Sequence, residues 1–374
     1  MTLGEFKIDC RQFRWDRPCA PHKKTGVTCP HCSEYDQIGE RIAVVKLAAA
    51  GDVLRTTAFI PAIRHRYPGA WITWITAPDA VELFDGNDAV DEVWSTGDPA
   101  LAALLQVQEF DAVLSPDTDP ATVALATAVR AKSRVGFEMD ERGRVRALGA
   151  GAEHWLAMGI HDGHKKSNDQ TYQKLVAAVL GLEAAHVGEP ILEPSVDQLE
   201  SAVDFCAQHG LGERFVGINT GAGGRWRHKR WTSDHQGAFV VEMTRSGVGV
   251  LLLGGPDESA SHRELLTRSA GAAVVSAGTN HGFRQFAAFV EQCAVLVTGD
   301  TLALHVACAR RVPVVALFGP TSSSEIELYG RGEKILPPGM DCLGCYLPTC
   351  DVTPHCQEKI LPEEVVRAVR DILR

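Results

Sequence analysis

The sequence predicts an α/β protein of two doubly wound parallel sheets facing each other across a cleft, with cysteine-rich extensions at both ends. Three observations predict it. Short, continuously apolar runs alternate with longer amphipathic ones, as strands buried on both faces and their covering helices do. The alternation occurs twice, on either side of a linker at 183–194 that carries Pro190 and Pro194. Of the eleven cysteines, four precede residue 40 and four lie between 341 and 357.

In the first series, strands are expected at 41–47, 72–76, 92–96, 112–115 and 134–137. Helices fit between them at 53–66, 80–84, 99–106 and 121–130. Helices at 170–180 and 196–209 bracket the linker. The second series has strands at 215–219, 248–253, 273–276, 294–298 and 312–318, with helices at 231–246, 258–269, 282–291 and 302–309. A last helix, 362–373, starts with acidic residues and is followed by Arg374, as the helix dipole prefers. The chain thus divides into an arm (1–40), a first domain (41–185), a second domain (186–338) and a C-terminal segment (339–374). Ligands in such folds bind where the C-terminal ends of strands converge.

The composition narrows the function. With 374 residues, 45% hydrophobic and 22% charged, the chain is an ordinary globular one of two-domain length. Lys and Arg number 37 against 47 Asp and Glu, a net charge of -10, which argues against a dedicated nucleic-acid binder. No apolar run approaches the roughly 18 residues that span a bilayer, and residues 1–9 lack the apolar core of a signal peptide. A cytoplasmic protein is expected, without a transmembrane segment. Cys206, Cys293 and Cys308 fall in apolar stretches and read as core thiols.

The candidate chemistry lies at strand ends. After the first strand, Lys46-Leu47-Ala48-Ala49-Ala50-Gly51-Asp52 is a small-residue loop ending in a carboxylate. Asp52 reads as the N-cap of helix 53–66, or as a cleft-edge carboxylate beside which Gly51 lets backbone and ligand approach. In the second half, Asn219-Thr220-Gly221-Ala222-Gly223-Gly224 leads into Arg225-Trp226-Arg227-His228-Lys229-Arg230-Trp231. Glycine-rich backbone followed by cationic side chains suits a diphosphate; a solvated charge run anchored by Trp226 and Trp231 is the plainer reading. The order is neither G-x-G-x-x-G with a later acid nor G-x-x-x-x-G-K-[ST], which disfavours a dinucleotide dehydrogenase and a Walker nucleotidase. Gly254-Gly255-Pro256-Asp257-Glu258 offers carboxylates for ribose hydroxyls, or caps for the next helix. Thr298-Gly299-Asp300-Thr301 opens a helix with His305 one turn in, either facing ligand or packed in the core. Phe318-Gly319-Pro320-Thr321 begins a further hydroxyl-rich loop.

These motifs, in this order, resemble glycosyltransferase family 9, the ADP-heptose heptosyltransferases. The likeness rests on Val44-Val45-Lys46-Leu47, Gly51-Asp52-Val53, Thr56-Thr57, Val90-Asp91-Glu92-Val93, Thr220-Gly221-Ala222, Lys229-Arg230-Trp231, Gly254-Gly255-Pro256, Asp300-Thr301 with His305, and Leu317-Phe318-Gly319-Pro320-Thr321. It spans about residues 41–373. It implies a GT-B fold, an acceptor-binding Rossmann-like domain followed by one that binds the nucleotide sugar. Asp52 becomes the general base that deprotonates an acceptor hydroxyl, with inversion at the anomeric carbon and ADP as leaving group. Lys229, helped by Arg230 and the Thr220-Gly221 backbone, stabilises the diphosphate. Asp257 contacts the nucleoside end, and Asp300, Thr301 and His305 hold phosphates and sugar hydroxyls. Gly51, Gly319, Pro320 and Thr321 complete the donor site, and no catalytic metal is required. Leu302 stands where the family usually has glycine, and Ala48, Ala49 and Ala50 replace more usual polar residues. Segment 140–166, with Arg142, Arg144, Arg146, Lys165 and Lys166, reads as a mobile acceptor loop or as ordinary charged surface.

Cys342, Cys345, Cys350 and Cys356 form one compact set of thiols, and Cys10, Cys19, Cys29 and Cys32 a looser one. Each set can close a tetrahedral structural site, with zinc the default and iron the alternative; disulfides or free thiols are the other reading. Because the last helix of a GT-B protein typically packs back on the first domain, the two sets are candidates for neighbours. The function expected is transfer of a heptose or similar sugar from an ADP-sugar to a lipopolysaccharide-core or other glycan, lipid-linked acceptors included. Peripheral association with the inner face of the plasma membrane goes with such an acceptor. The alternatives are heptosyl transfer to a protein or natural product, and a metal-bearing scaffold whose transferase site has decayed.

Overall fold

Runs of β-branched residues and leucine, apolar on both faces, assemble into two six-stranded sheets. A computed structural model describes residues 3–224 and 226–374. The first sheet holds β1 (Arg41–Val45), β2 (Trp71–Thr76), β3 (Glu92–Ser95), β4 (Phe110–Ser115), β5 (Ala131–Met139) and β6 (Val145–Leu148). The second holds β7 (Val216–Asn219), β8 (Val250–Leu253), β9 (Val274–Ser276), β10 (Val295–Gly299), β11 (Val314–Leu317) and β12 (Gly332–Ile335). Their orders are β3-β2-β1-β4-β5-β6 and β9-β8-β7-β10-β11-β12. All neighbours are parallel except β5 and β6.

The shared order fixes where a site can form. Winding reverses between β1 and β4 and between β7 and β10, and the loops leaving those strands part to open a crevice. The loops carrying Asp52, Thr220-Gly221, Asp257 and Asp300 all leave strand ends at or beside these points.

Several elements differ from the sequence expectation. The helix expected at 53–66 begins three residues early and is broken: Ala50–Thr56, a 3-10 turn Thr57–Phe59, then Ile60–Arg66. Pro61, which lacks an N–H, sits in the first turn of the last piece. Segment 140–166 is not a loop. Asp140 caps the β5–β6 hairpin by accepting from the backbone and guanidinium of Arg144, and Arg146 pairs with Glu138. Helices Ala150–Ile160 and Asp162–Lys166 follow.

One apolar cluster joins the domains. Ile42, Val44, Val53, Leu54 and Phe59 of the first belong to the same contiguous core as Phe286, Leu304 and Val306 of the second. Helix Ala50–Thr56 packs directly on helix Leu302–Ala309. Gly51 permits that approach, since a Cβ there would lie 3.2 Å from His305 Cδ2 and 3.4 Å from the Leu302 Cα. Leu302 is thus part of the domain contact. Cys206, Cys293 and Cys308 are buried, as expected.

The two ends dock on different domains, which corrects the expectation that the cysteine sets adjoin. Helix Pro362–Leu373 buries Val365, Val366, Ala368 and Val369 against helix Ser233–Arg245 and strands β10–β12. The Trp231 indole N–H donates to the Ile360 carbonyl at 2.9 Å beside it. The N-terminal arm instead reaches the first sheet through Arg11, which pairs with Asp91 and donates to the Gly69 and Ala70 carbonyls at 2.9 and 3.0 Å. These groups precede β2 and β3, at the edge of the sheet remote from the crevice.

Candidate functional site

The first-domain wall is organised by buried charge. Lys46, at the end of β1, is 6% exposed; its ammonium pairs with Asp117 at 2.7 Å and donates to the Ala48 carbonyl at 2.9 Å. This ties the loop after β1 to the one after β4. Asp52 lies in the first turn of helix Ala50–Thr56, whose N-cap is Ala49 without a side-chain bond, so the carboxylate is not spent on capping. It pairs with Arg55 one turn on, at 2.8 Å. The Arg55 guanidinium lies 3.6 Å over the Tyr172 ring, and the Tyr172 hydroxyl meets Thr56 Oγ1 at 2.9 Å. Burial by itself raises the Asp52 pKa, but Arg55, then Lys46, His305 and Lys229, outweigh it and hold the carboxyl at about 2. Asp52 is therefore an anion held toward the second domain.

The second-domain wall answers it. Lys229 donates to Asp300 at 2.8 Å, and a Cβ on Gly299 would strike the Lys229 carbonyl, which is how the basic loop lies flat on the end of β10. Burial raises the Asp300 pKa, yet Lys229 and His305 bring it below the usual carboxylate range. His305 is buried; desolvation, reinforced by Arg55, depresses its pKa to about 4, so it is neutral at pH 7. Asn219 links the Gly221 carbonyl at 2.9 Å to the hydroxyls of Thr298 and Thr301, both at 3.2 Å. Thr301 is the N-cap of helix Leu302–Ala309, but its hydroxyl bonds sideways within this cluster.

The structure sorts the other expected donor residues. Thr220 is fully buried; its N–H donates to the Leu253 carbonyl at 2.9 Å and its hydroxyl meets His262 at 3.1 Å. Its polar groups serve the sheet and its neighbours, which corrects the expectation of a diphosphate contact. Gly221 is required by Glu258, whose carboxylate occupies the space a Cβ would need. Glu258 accepts from Gly255 N–H at 2.8 Å and is buried, so it is the structural member of the acidic pair; Asp257 is exposed at the rim. Arg230 is exposed, and Arg225 lies outside the described residues. Thr321 is buried beside Asp300.

Gly319 and Pro320 are covered by the C-terminal segment. Their carbonyls accept from Gly344 N–H at 3.0 Å and Tyr346 N–H at 2.7 Å, and a Cβ on Gly319 would lie 2.5 Å from Cys356 Sγ. The Tyr346 hydroxyl reaches Ser322 N–H and Glu325, both at 3.2 Å, while Lys165 of the first domain lies 3.3 Å over its ring. The cysteine-rich segment thus bridges both walls. Cys342, Cys345, Cys350 and Cys356 line one small cavity of about 20 Å³ with His228. Burial, and then the three neighbouring thiols, push the Cys356 pKa up to about 11. Cys10, Cys19, Cys29 and Cys32 line another cavity, of about 520 Å³, within the arm. None of the eight is in a disulfide.

Arg55, Tyr172, Asp117 and Tyr346 were not among the residues expected from the sequence. Only Arg55 had a local signal, its spacing of three from Asp52 on one helix. The rest reach the site through tertiary contacts.

Known proteins share this architecture. The family model for glycosyltransferase family 9 (heptosyltransferase) matches residues 100–350, about two thirds of the chain. The chain belongs to glycosyltransferase family 9. Lipooligosaccharide heptosyltransferase 2 of Campylobacter jejuni is 21% identical over 44% of this chain and 52% of its own length, so the chain spans about half of that relative. Lipopolysaccharide heptosyltransferase 1 of Pseudomonas aeruginosa is 24% identical over 86% of this chain and 90% of its own. Among solved structures, a family 9 glycosyltransferase from Veillonella parvula superposes with a TM-score of 0.71 at 20% identity, covering 89% of this chain and 97% of its own. The ADP-heptose lipopolysaccharide heptosyltransferase II of Escherichia coli gives 0.63 at 19%, covering 89% and 98%. The fold is therefore GT-B. No described helix is long and apolar enough to cross a membrane.

Proposed function

We propose that this chain transfers a heptose or closely similar sugar, with inversion, from an ADP-sugar to a hydroxyl of a lipopolysaccharide-core or other glycan. The observation that carries the reading is the facing of Asp52, on the first domain, by Lys229, Asp300 and His305 on the second. The named activities of the Pseudomonas and Escherichia proteins, and the ADP-heptose in the latter's description, support the donor and acceptor class.

The chemistry follows from the charges. An incoming diphosphate competes with Asp300 for Lys229 and places its leaving oxygen where the ammonium offsets the charge that develops as the glycosidic bond breaks. Neutral His305 donates or accepts a hydrogen bond without adding charge. Asp52 takes the acceptor proton. Held at about 2, it is a weak base, so it accepts the proton late, once bond formation to the anomeric carbon has made the hydroxyl acidic. Attack from the Asp52 side on a donor held by the opposite wall is attack from behind, hence inversion.

The C-terminal thiols have the ligand chemistry of a structural metal site, zinc or iron, and with no open position they would brace the Gly319-Pro320 loop and take no part in transfer. A glycan acceptor built on a membrane lipid would bring the protein to the cytoplasmic face of that membrane. The test is ADP release from ADP-heptose with a heptose-deficient lipopolysaccharide acceptor. Asp52→Asn is expected to lower transfer at least about a hundredfold while leaving ADP binding unchanged. Full activity in that variant would remove Asp52 as the base.

A further inference from the structure

We propose that the cavity of the N-terminal arm is the site of an iron–sulfur cluster, bound by Cys10, Cys19, Cys29 and Cys32. The proposal deepens the reading of the cysteine sets as metal sites and is independent of the transfer reaction.

The arm lacks a core. Between residues 4 and 40 only Pro21 is buried, and the regular structure is a six-residue helix, Ala20–Thr25, two 3-10 turns and one isolated bridge between Cys10 and Gln37. A stretch this short cannot bury enough apolar surface to offset the entropy of ordering it, and such units depend on a metal, a disulfide or a partner. None of the four cysteines is in a disulfide. Even so, they come from three separated places in the arm, Cys29 and Cys32 sharing one turn, and line the same cavity.

A single ion and a cluster differ in size. One tetrahedral ion with metal–sulfur bonds of about 2.3 Å holds its four sulfurs about 3.8 Å apart. Among the described residues, neither set has three sulfurs within 4.8 Å of one another, so the space between the cysteines is what distinguishes them. The arm's four cysteines line a partly open cavity of about 520 Å³, whereas the C-terminal set lines one of about 20 Å³ and has Cys356 wedged against Gly319. A polynuclear cluster spreads its thiolates apart because they bind different irons, and fills the middle with iron and sulfide.

The cavity's lining mixes aromatic and cationic side chains. Half-buried Phe13 and Tyr35, with the more exposed Phe6 and Trp15, line the cavity, and Lys7, Arg14 and Arg17 bring cationic side chains to it. A cluster held by four thiolates is anionic overall; apolar walls shield it from water, and nearby cations offset its charge. Because the arm docks at the edge of the first sheet remote from Asp52, the cluster would order the arm and stay outside the transfer chemistry.

The test uses the full-length chain produced and purified without oxygen, with iron, zinc and acid-labile sulfide counted per chain. Acid-labile sulfide decides, since neither zinc nor a single iron brings any. At least two sulfides per chain are expected, with visible absorption that dithionite bleaches. Cys29→Ala/Cys32→Ala should lose that sulfide, and Cys342→Ala/Cys345→Ala should keep it. Should the arm variant fail to fold, the second variant decides alone: sulfide retained supports the arm site, and sulfide lost assigns the cluster to the other end and overturns it. Metal without sulfide in the native chain overturns the cluster but leaves a metal site standing, and no metal at all refutes both.

Discussion

Replacing Lys229 by alanine should damage the protein in two separable ways. Lys229 and Asp300 form a pair at 2.8 Å whose side chains are only 17% and 12% exposed. Removing the ammonium strands the Asp300 carboxylate, which burial already pushes toward protonation. Breaking such a pair costs about 3 kcal/mol, the low end for buried pairs because both groups keep some water. Lys229→Ala/Asp300→Asn should recover most of that, because a neutral amide no longer needs the counter-charge. Transfer behaves differently. If Lys229 offsets charge on the departing diphosphate, its loss should lower kcat about 10² to 10³-fold, roughly 3–4 kcal/mol of barrier, whether residue 300 is Asp or Asn. Urea unfolding and ADP release on the wild type, both single variants and the double variant complete the cycle. The reasoning is refuted if Lys229→Ala costs no activity in the Asp300→Asn background, since Lys229 would then act only by holding Asp300.

Further outcomes follow from the same geometry. Arg55→Met removes the main charge that depresses Asp52, so the acid limb of kcat/KM should move to higher pH; an unmoved limb would mean that Arg55 does not set the base. His305 contributes stability that is complete above its unfolded pKa near 6.5 and is lost as pH falls toward its folded value of about 4. That difference corresponds to roughly 3 kcal/mol, and His305→Asn should flatten the pH dependence of urea midpoints between those values. Gly51→Ala puts a methyl 3.2 Å from His305 and should cost about 1–3 kcal/mol, read as a lowered Tm. Cys345→Ser should weaken ADP binding measured by thermal shift more than it lowers Tm, because the segment it anchors braces Gly319 and Pro320.

The sequence was most legible where chemistry is local. Gly51-Asp52, Lys229, Asp300 and His305 were each visible as small or charged residues at the end of an apolar run, and a strand end in a doubly wound sheet is where ligand must sit. What failed was local too, but depended on partners. Thr220 looked like a phosphate loop residue, and only the packed neighbours Leu253 and His262 show its polar groups to be spoken for. Asp257 and Glu258 were equivalent by spacing, and only the resemblance chose Asp257; the close approach of Gly221 to Glu258 gives Glu258 its structural place. Segment 140–166 hid a hairpin because Asp140, Glu138 and their arginines carry little apolar periodicity.

By itself the sequence determined the two parallel sheets, the strand ends that bear the candidate site and the division of eleven cysteines into three core thiols and two outer sets. Apolar runs, glycines and spacing are properties of the chain alone. Tertiary structure decided the rest: that Arg55 holds Asp52 ionised, that Lys229 is paired with Asp300, and that Tyr346 reaches both walls. It also decided that the cysteine sets lie on different domains, around cavities of about 520 and 20 Å³. Charge state and cavity size depend on which groups meet, and residues far apart in sequence meet only when the chain has folded.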